Sequence, residues 1–384
     1  MSDELKRGLE GVLVAESDLS YVDGEVGKLV YRGYDIEDLA RGASYEEVLY
    51  LLWYGSLPTR EELDAFAAEL AAERTVDDGV LDVVRALADA DERPMAALRT
   101  ATSMLSAYDP DAGDDPDEEV TETSLRQGRR ITAKIPTILA AFERARQGAE
   151  PIAPDPDLSH AGNFLYMLTG TEPDAVSEET FDMALTLHAD HGLNASTFTA
   201  MVIGSTMADV YSGVTGGIGA LSGSLHGGAN QDVMEVLYEV DESEKDPVEW
   251  VKDARAAGRR IPGFGHRVYK VKDPRARILE EKLRDLAESS GNTKWLDYTT
   301  AIEQYLTDQG LLEKGIAPNV DFYSGSVYDS MGIPVDMYTP IFAMSRAGGW
   351  IAHVVEYQED NRLIRPRARY TGPVDAEFVP IDER

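Results

Sequence analysis

Apolar residues along this chain recur mostly at helical spacing, and the exceptions are local. In residues 11–34, β-branched and aromatic side chains gather on both sides of Asp23-Gly24, a turn dipeptide that predicts a hairpin. Beyond it the pattern turns helical. Ser44-x-x-Glu47 and Thr59-x-x-Glu62 read as capping boxes, in which hydroxyl and carboxylate satisfy backbone N–H groups left free by the first turn. Residues 94–108, 124–147, 161–169, 178–191 and 195–212 carry the same period and predict further helices. Residues 109–119, DPDAGDDPDEE, predict a solvated acidic loop. Pro151, Pro154 and Pro156 punctuate a link between helices. Gly and Ser dominate 212–230. A second Gly-rich turn, 261–275, precedes a charged helix over 275–290, and the segments 317–325 and 342–349 interrupt the remaining apolar stretches. No repeat of 20–50 residues is visible. The expected class is mostly α, with a small β element near the N-terminus.

Charge changes this picture more than composition does. The 384 residues hold 36 Lys plus Arg against 70 Asp plus Glu, a formal net charge of −34. Such a surface repels nucleic-acid phosphates and anionic lipid. With 43% hydrophobic residues the acidity does not mean disorder, and the length suits two domains. The basic residues divide into 10 Lys and 26 Arg. Few lysines and a large acid surplus suggest adaptation to molar salt, where the Debye length falls to about 3 Å and self-repulsion is screened. Seven of the ten lysines lie between Lys245 and Lys314. Cysteine is absent, which excludes thiolate catalysis and Cys-based metal sites. No signal-like start and no run of 18 apolar residues is present, so a soluble, cytoplasmic protein is expected.

Six histidines offer acid–base chemistry. His191 follows an apolar helix and precedes a glycine, His226 sits in SLHGGAN, and His266 sits in GFGHR. Glycine beside histidine lets backbone approach a ligand closely, although such a histidine is more often a turn residue. A helix N-terminus behind His226 would keep its ring neutral. His188 and His191, three residues apart, could share a helix face and hold a metal. His160 and His353 read as ordinary surface or packing histidines. Arg275, Arg346 and Arg365 stand near Gly- or Pro-rich segments, and bidentate arginine suits a dicarboxylate. Asp321, beside Phe322 and Tyr323, could be desolvated enough to act as a base.

These same segments resemble the citrate synthase family. Gly263-Phe264-Gly265-His266-x-Val268-Tyr269-Lys270-x-x-Asp273-Pro274-Arg275 is similar to its long signature. GSLHGGAN (223–230), DHGLNASTF (190–198), APNVDFYSG (317–325) and SRAGGWIAH (345–353) are similar to its other blocks, in the same order. Tyr21-Val22-Asp23-Gly24 and Arg32-Gly33-Tyr34-Asp35 extend the likeness to the N-terminus. The resemblance covers nearly the whole chain. It implies a two-domain, mostly helical homodimer, with a large domain of residues 1–222 plus 327–384, a small domain of residues 223–326, and a site in the cleft. The implied reaction condenses acetyl-CoA with oxaloacetate, then hydrolyses citryl-CoA to citrate and CoA, a step of the tricarboxylic acid cycle. It needs no metal or resident cofactor.

Carried over by motif, Asp321 would remove a methyl proton, neutral His226 would hydrogen-bond the thioester oxygen, and His266 would polarise the oxaloacetate carbonyl. His191, Arg275 and Arg346 would hold the oxaloacetate carboxylates, and Arg365 would reach the partner subunit's site. Arg267 and Lys270, then Arg259, Arg260 and Lys272, are the candidates for the CoA phosphates. The nearest alternative is a 2-methylcitrate synthase using propionyl-CoA. A non-catalytic paralogue and a metal-dependent hydrolase built on His188 and His191 are the others.

Overall fold

The computed structural model describes residues 5–112 and 120–384. Among them the structure forms sixteen α-helices and one three-stranded sheet. Strands β1 (Ser20–Asp23) and β2 (Lys28–Tyr31) pair antiparallel, with Asp23 opposite Lys28, and β3 (Tyr34–Asp35) extends the sheet beside β2. The expected hairpin is therefore present but shorter, because residues 11–19 stay outside the sheet. Its turn is closed by the Asp23 carboxylate, which accepts the Glu25 N–H at 3.0 Å.

The helices follow in order: α1 (Ile36–Gly42), α2 (Tyr45–Tyr54), α3 (Arg60–Ala72), α4 (Asp78–Asp89), α5 (Pro94–Leu105), α6 (Val120–Arg146), α7 (His160–Thr169) and α8 (Ala175–His188). The second half contains α9 (Ala195–Gly204), α10 (Val210–Leu221), α11 (Ala229–Glu242), α12 (Pro247–Ala256), α13 (Pro274–Ser290), α14 (Lys294–Asp308), α15 (Val320–Ser330) and α16 (Tyr338–Glu359). Both capping boxes form: Ser44 with Glu47 opens α2, and Thr59 with Glu62 opens α3.

Helix α16 is the axis of the molecule. It is buried on almost every side, as a helix apolar all round must be, and α2, α5, α6, α8, α9 and α10 pack around it. The expected interruption at 342–349 is absent. The small residues there mark a buried helix against which neighbours pack closely, not a loop. Likewise the stretch 195–212 is two helices. Helix α9 stops at Gly204, Met207 takes a φ of 63°, and Asp209 caps α10 by accepting the Ser212 N–H at 2.8 Å. Half of the Gly/Ser-rich segment is α10 itself. A Cβ on Gly216 would come within 2.3 Å of Ile203, and one on Gly217 within 2.8 Å of Trp350, so the glycines let helices touch.

The acidic loop departs from expectation where it can be seen. Asp109 is buried. It accepts from Arg130 at 3.0 Å and from the Tyr211 hydroxyl, while Asp111 pairs with Arg126 and Arg130. A carboxylate with two such donors tolerates burial. Residues 113–119 lie outside the described residues. Helices α11 to α15 pack largely on one another, with α13 also lying against α1 and α8. Among the described residues no helix is long and apolar enough to cross a membrane.

Candidate active site

Two segments fifty residues apart in sequence are stitched together by backbone hydrogen bonds. Gly265 N–H donates to Ala317 at 2.8 Å, Asn319 N–H to Gly263 at 2.9 Å, and Asp273 N–H to Pro318 at 3.1 Å. The Asn319 side chain completes the join by donating to the Gly265 carbonyl at 2.9 Å. Its carbonyl oxygen accepts the Asp321 N–H at 3.0 Å and so caps α15. Gly263 sits at a φ of 78°, where a Cβ would meet Phe322 at 2.8 Å. The GFGH turn and the start of α15 are thus one unit, carrying His266 on one side and Asp321 on the other.

The histidine tautomers follow from their partners. His266 Nδ1 lies 3.0 Å from the Val268 nitrogen and 3.2 Å from that of Tyr269. Backbone N–H groups only donate, so Nδ1 holds the lone pair and Nε2 carries the proton. His226 Nε2 lies 3.2 Å from the Ser196 nitrogen, which puts its proton on Nδ1. The Ser196 hydroxyl, 2.8 Å from the same ring nitrogen, is itself held by Asn194 and Trp350. Burial pushes both histidines down to about 4, helped by Arg346 at His226 and by Arg275 at His266. Each ring therefore offers one fixed, uncharged N–H donor at neutral pH. The helix behind His226 begins at Ala229, as the sequence suggested, but burial is the main cause of neutrality. His191, on the turn after α8, contacts the Tyr269 hydroxyl at 3.1 Å, with its ring 5.5 Å from that of His266. Burial and the two arginines hold it well below the usual histidine range.

Beside these donors lie two buried guanidiniums. Arg275 is clamped by Asp273, Nε at 3.0 Å and the terminal nitrogen at 2.7 Å. Burial pulls the Arg275 pKa down, and Asp273 more than restores it. Arg346 donates from Nε to the His188 carbonyl at 2.6 Å and lies 4.6 Å from the Phe342 ring. One of its terminal nitrogens is buried with no hydrogen-bond partner. A buried cationic donor left unpaired is costly, and an anionic partner would remove that cost. Burial pushes the Asp321 carboxyl up to about 6, although Arg275 and Arg346 pull the other way. Neutral donors, buried cations and a carboxyl poised near neutrality can polarise a carbonyl, anchor carboxylates and accept a proton.

Comparisons with known proteins identify the family. The family model for the citrate synthase C-terminal domain matches residues 8–367. The citrate synthase of Haloferax volcanii is 66% identical over 384 residues, covering 100% of both chains. This chain belongs to the citrate synthase family. It is an acyl-transferring enzyme of the citrate synthase type. The structure of a citrate synthase from Pyrobaculum aerophilum superposes with a TM-score of 0.91 at 44% identity, over 98% of this chain and 95% of that one. A ternary complex of citrate synthase from Thermoplasma acidophilum with carboxymethyl coenzyme A and oxaloacetate gives 0.89 at 35% identity, over 100% of each chain. 2-Methylcitrate synthase 1 of Corynebacterium glutamicum stands further off, 41% identical over 100% of both chains.

The remaining candidates sit differently. His188 donates from Nδ1 to the Ala184 carbonyl at 2.7 Å and is buried. Among the described residues no group of three or more His, Cys, Asp or Glu could hold a metal ion. Arg267, Lys270 and Arg260 are exposed near the GFGH turn. Arg259 is paired with Glu239 at 2.5 and 2.7 Å and stacks on Trp250. Lys272 is held by Glu280 and Glu303 at 2.7 Å each. Lys245, Lys282 and Lys294 are ion-paired too, so much of the Lys-rich stretch neutralises its own neighbours.

Arg365 is exposed. The preceding Ile364 N–H is anchored to Ser205 at 3.1 Å, beyond the C-terminal end of α9, whereas Ser196 and His226 meet at its N-terminal end. The ten residues of α9 separate those ends by about 15 Å, so the chain does not bring Arg365 to its own cluster. Sequence reasoning missed Ser196, Asn319, Asp273 and Tyr269 as supports. It also treated His353 as ordinary, yet His353 Nε2 lies 3.2 Å from the buried Asp190 carboxylate. Burial opposes that charge, but His353, Arg346 and Ser20 hold Asp190 down to about 2. The cap patterns at Asn194, Asp273-Pro274 and Asn319 were the available signal.

Proposed function

We propose that this chain condenses acetyl-CoA with oxaloacetate and hydrolyses the resulting citryl-CoA to citrate and CoA, with Asp321, His226 and His266 as the reacting groups. The observation that carries this reading is the pair of histidines whose lone pairs are occupied by backbone N–H groups. Asp321, as carboxylate, takes a proton from the thioester methyl group. His226 Nδ1–H hydrogen-bonds the thioester oxygen, where negative charge grows as the enolate forms. The enolate carbon attacks the C2 carbonyl of oxaloacetate, whose oxygen accepts from His266 Nε2–H. The new alkoxide takes its proton from His266 Nε2; water then adds to the thioester carbon, and CoA leaves as the thiol, carrying a proton from that water. His191, Arg275 and Arg346 hold the oxaloacetate carboxylates; the unpaired Arg346 nitrogen supports that assignment. No metal or resident cofactor enters these steps.

The site lies in a cleft between a large domain of residues 1–222 plus 327–384 and a small domain of residues 223–326. Oxaloacetate draws the domains together and excludes water. The functional unit is a homodimer in which Arg365 serves the partner's site. Its separation from its own cluster supports that role, and the exposed Leu363, Tyr370, Val374 and Phe378 around it supply apolar surface for the interface. Arg267 and Lys270, exposed beside the GFGH turn, meet the CoA phosphates, with Arg260 and Arg259 further out. The acid surplus fits a cytoplasm rich in salt.

The deciding experiment measures oxaloacetate-dependent CoA release with acetyl-CoA and with propionyl-CoA, across KCl concentrations and with excess chelator. We expect acetyl-CoA to give the higher kcat/KM and chelator to change nothing. A higher kcat/KM for propionyl-CoA makes the enzyme a 2-methylcitrate synthase, since a single methylene is worth only about 1–3 kcal/mol in a pocket. No oxaloacetate-dependent release would sink the proposal.

A further inference from the structure

We infer that the tip of the N-terminal hairpin positions His266, with Gly24 as the positioning residue. The inference rests on the proposed role of His266 as donor to the oxaloacetate carbonyl.

The hairpin turn and the segment after His266 are far apart in sequence and touch through backbone. The Lys270 N–H donates to the Gly24 carbonyl at 2.8 Å. On Gly24, a Cβ would stand 2.0 Å from the Val268 carbonyl oxygen, 2.5 Å from the Val268 carbonyl carbon and 3.0 Å from the Tyr269 nitrogen. Those three atoms belong to the peptide group joining Val268 to Tyr269. Its N–H is one of the two that donate to His266 Nδ1, at 3.2 Å; the other is the Val268 N–H at 3.0 Å. One peptide plane is therefore gripped on one side by the hairpin and holds the catalytic ring on the other. The Tyr269 side chain, buried, carries the contact onward to His191 through its hydroxyl.

The consequence is specific. Backbone cannot yield to a new methyl group as a flexible side chain can. Any residue larger than glycine at position 24 must push the Val268–Tyr269 peptide away and turn the His266 Nε2–H off its target. Of the proposed oxaloacetate anchors, Arg275 and Arg346 lie on α13 and α16 and are held by Asp273 and the His188 carbonyl, not by this peptide; His191 feels it only through the Tyr269 hydroxyl. Misaimed polarisation with intact anchoring lowers kcat while leaving oxaloacetate affinity nearly unchanged. The Asp23 carboxylate, which accepts the Glu25 N–H at 3.0 Å and the Val26 N–H at 3.4 Å, fixes the shape of the tip.

The test compares the full-length wild type with Gly24→Ala and with the gentler Asp23→Ala. Three quantities are read: kcat, the oxaloacetate dissociation constant, and the 13C resonance of the carbonyl carbon of bound oxaloacetate labelled at C2. That resonance reports carbonyl polarisation directly. In wild type it is displaced from the free ketone. Gly24→Ala is expected to lower kcat by about tenfold to a hundredfold, the effect of a misplacement on the order of 1 Å. The carbonyl resonance should move back toward the free value and the dissociation constant stay within about threefold. Asp23→Ala should move kcat and the resonance in the same directions by less, with the dissociation constant again nearly unchanged, and it decides the matter if Gly24→Ala does not fold. A carbonyl resonance unchanged in the variants, whether or not kcat falls, overturns the positioning role. An undisplaced resonance in wild type fails the proposed chemistry of His266 instead, so the two failures are distinct.

Discussion

Asp321 is a carboxyl whose surroundings disagree. It heads a helix and feels two arginines, both favouring the anion, yet burial outweighs them and holds its pKa near 6 instead of 3.8. A base poised there is half-ionised just below neutrality, which suits abstraction of a weakly acidic proton. Asp321→Asn should lower kcat by about 10²–10⁴-fold, the usual scale for a general base, with oxaloacetate affinity nearly intact by isothermal titration. Near-normal turnover would remove Asp321 from the mechanism. The raised pKa also sets a stability effect. The native state holds this proton more tightly than the unfolded chain, so stability falls as pH rises from about 4 to 6, and the deficit is complete above 6. Asp321→Asn should then be more stable than wild type at pH 8 by about 2 kcal/mol, two pK units at 1.36 kcal/mol discounted for partial exposure. Denaturant melts should show that gain vanish below pH 4. Activity has its own signature. kcat/KM should climb with an apparent pKa of about 6, set by the burial of Asp321, and His226 and His266, neutral down to about 4, should add no second inflection above pH 5. A profile flat from pH 5 to 8 would contradict the assignment.

At the scale of elements, Asn319 joins what the sequence separates. Its side chain caps α15 and also ties that helix to the GFGH turn. Asn319→Ala should cost about 1–2 kcal/mol as a lost cap. It should also lower kcat, because the turn bearing His266 loses its tether to the helix bearing Asp321. Thermal melts and initial rates check the two effects separately, and a loss of stability with full activity would limit Asn319 to capping. This residue also shows how far sequence reading reaches. The residues proposed to react stood out as candidates because each lies in a short block whose glycines, prolines and caps serve local backbone geometry. The hairpin, the capping boxes and most helices were legible for the same reason. What was not legible depends on neighbours brought in by the fold. FAMSRAGG reads as a breaker, yet it is helical because α16 is enclosed on all sides. Asp109 reads as a solvated loop residue, yet Arg130 and Tyr211 bury it. His353 reads as ordinary because its partner, Asp190, lies 163 residues away.

At the scale of the whole molecule, salt acts in two opposing ways. Ion pairs fasten α13 to the elements beside it: Arg41 with Glu281 at 2.6 Å, Arg277 with Glu37 at 3.1 Å, and Lys282 with Glu179 at 2.6 Å. Each is largely exposed on at least one side and is worth about 0–1 kcal/mol, less as salt rises. Against them stands the surplus of acids, −34 overall, whose mutual repulsion is also screened as the Debye length shrinks from about 10 Å at 0.1 M to 3 Å at 1 M. Losing a handful of weak pairs costs little, whereas the repulsion is summed over every acidic neighbour. Screening of the surplus should therefore win, and Tm should rise steadily between 0.1 and 2 M KCl. The slope belongs to the acids, so removing some should flatten it. Asp89→Asn, Glu288→Gln and Asp360→Asn, all at exposed positions, should together raise Tm at 0.1 M and leave it nearly unchanged at 2 M. A wild-type Tm that is flat or falls with KCl would mean the ion pairs dominate, and the acid surplus would then be no adaptation to salt.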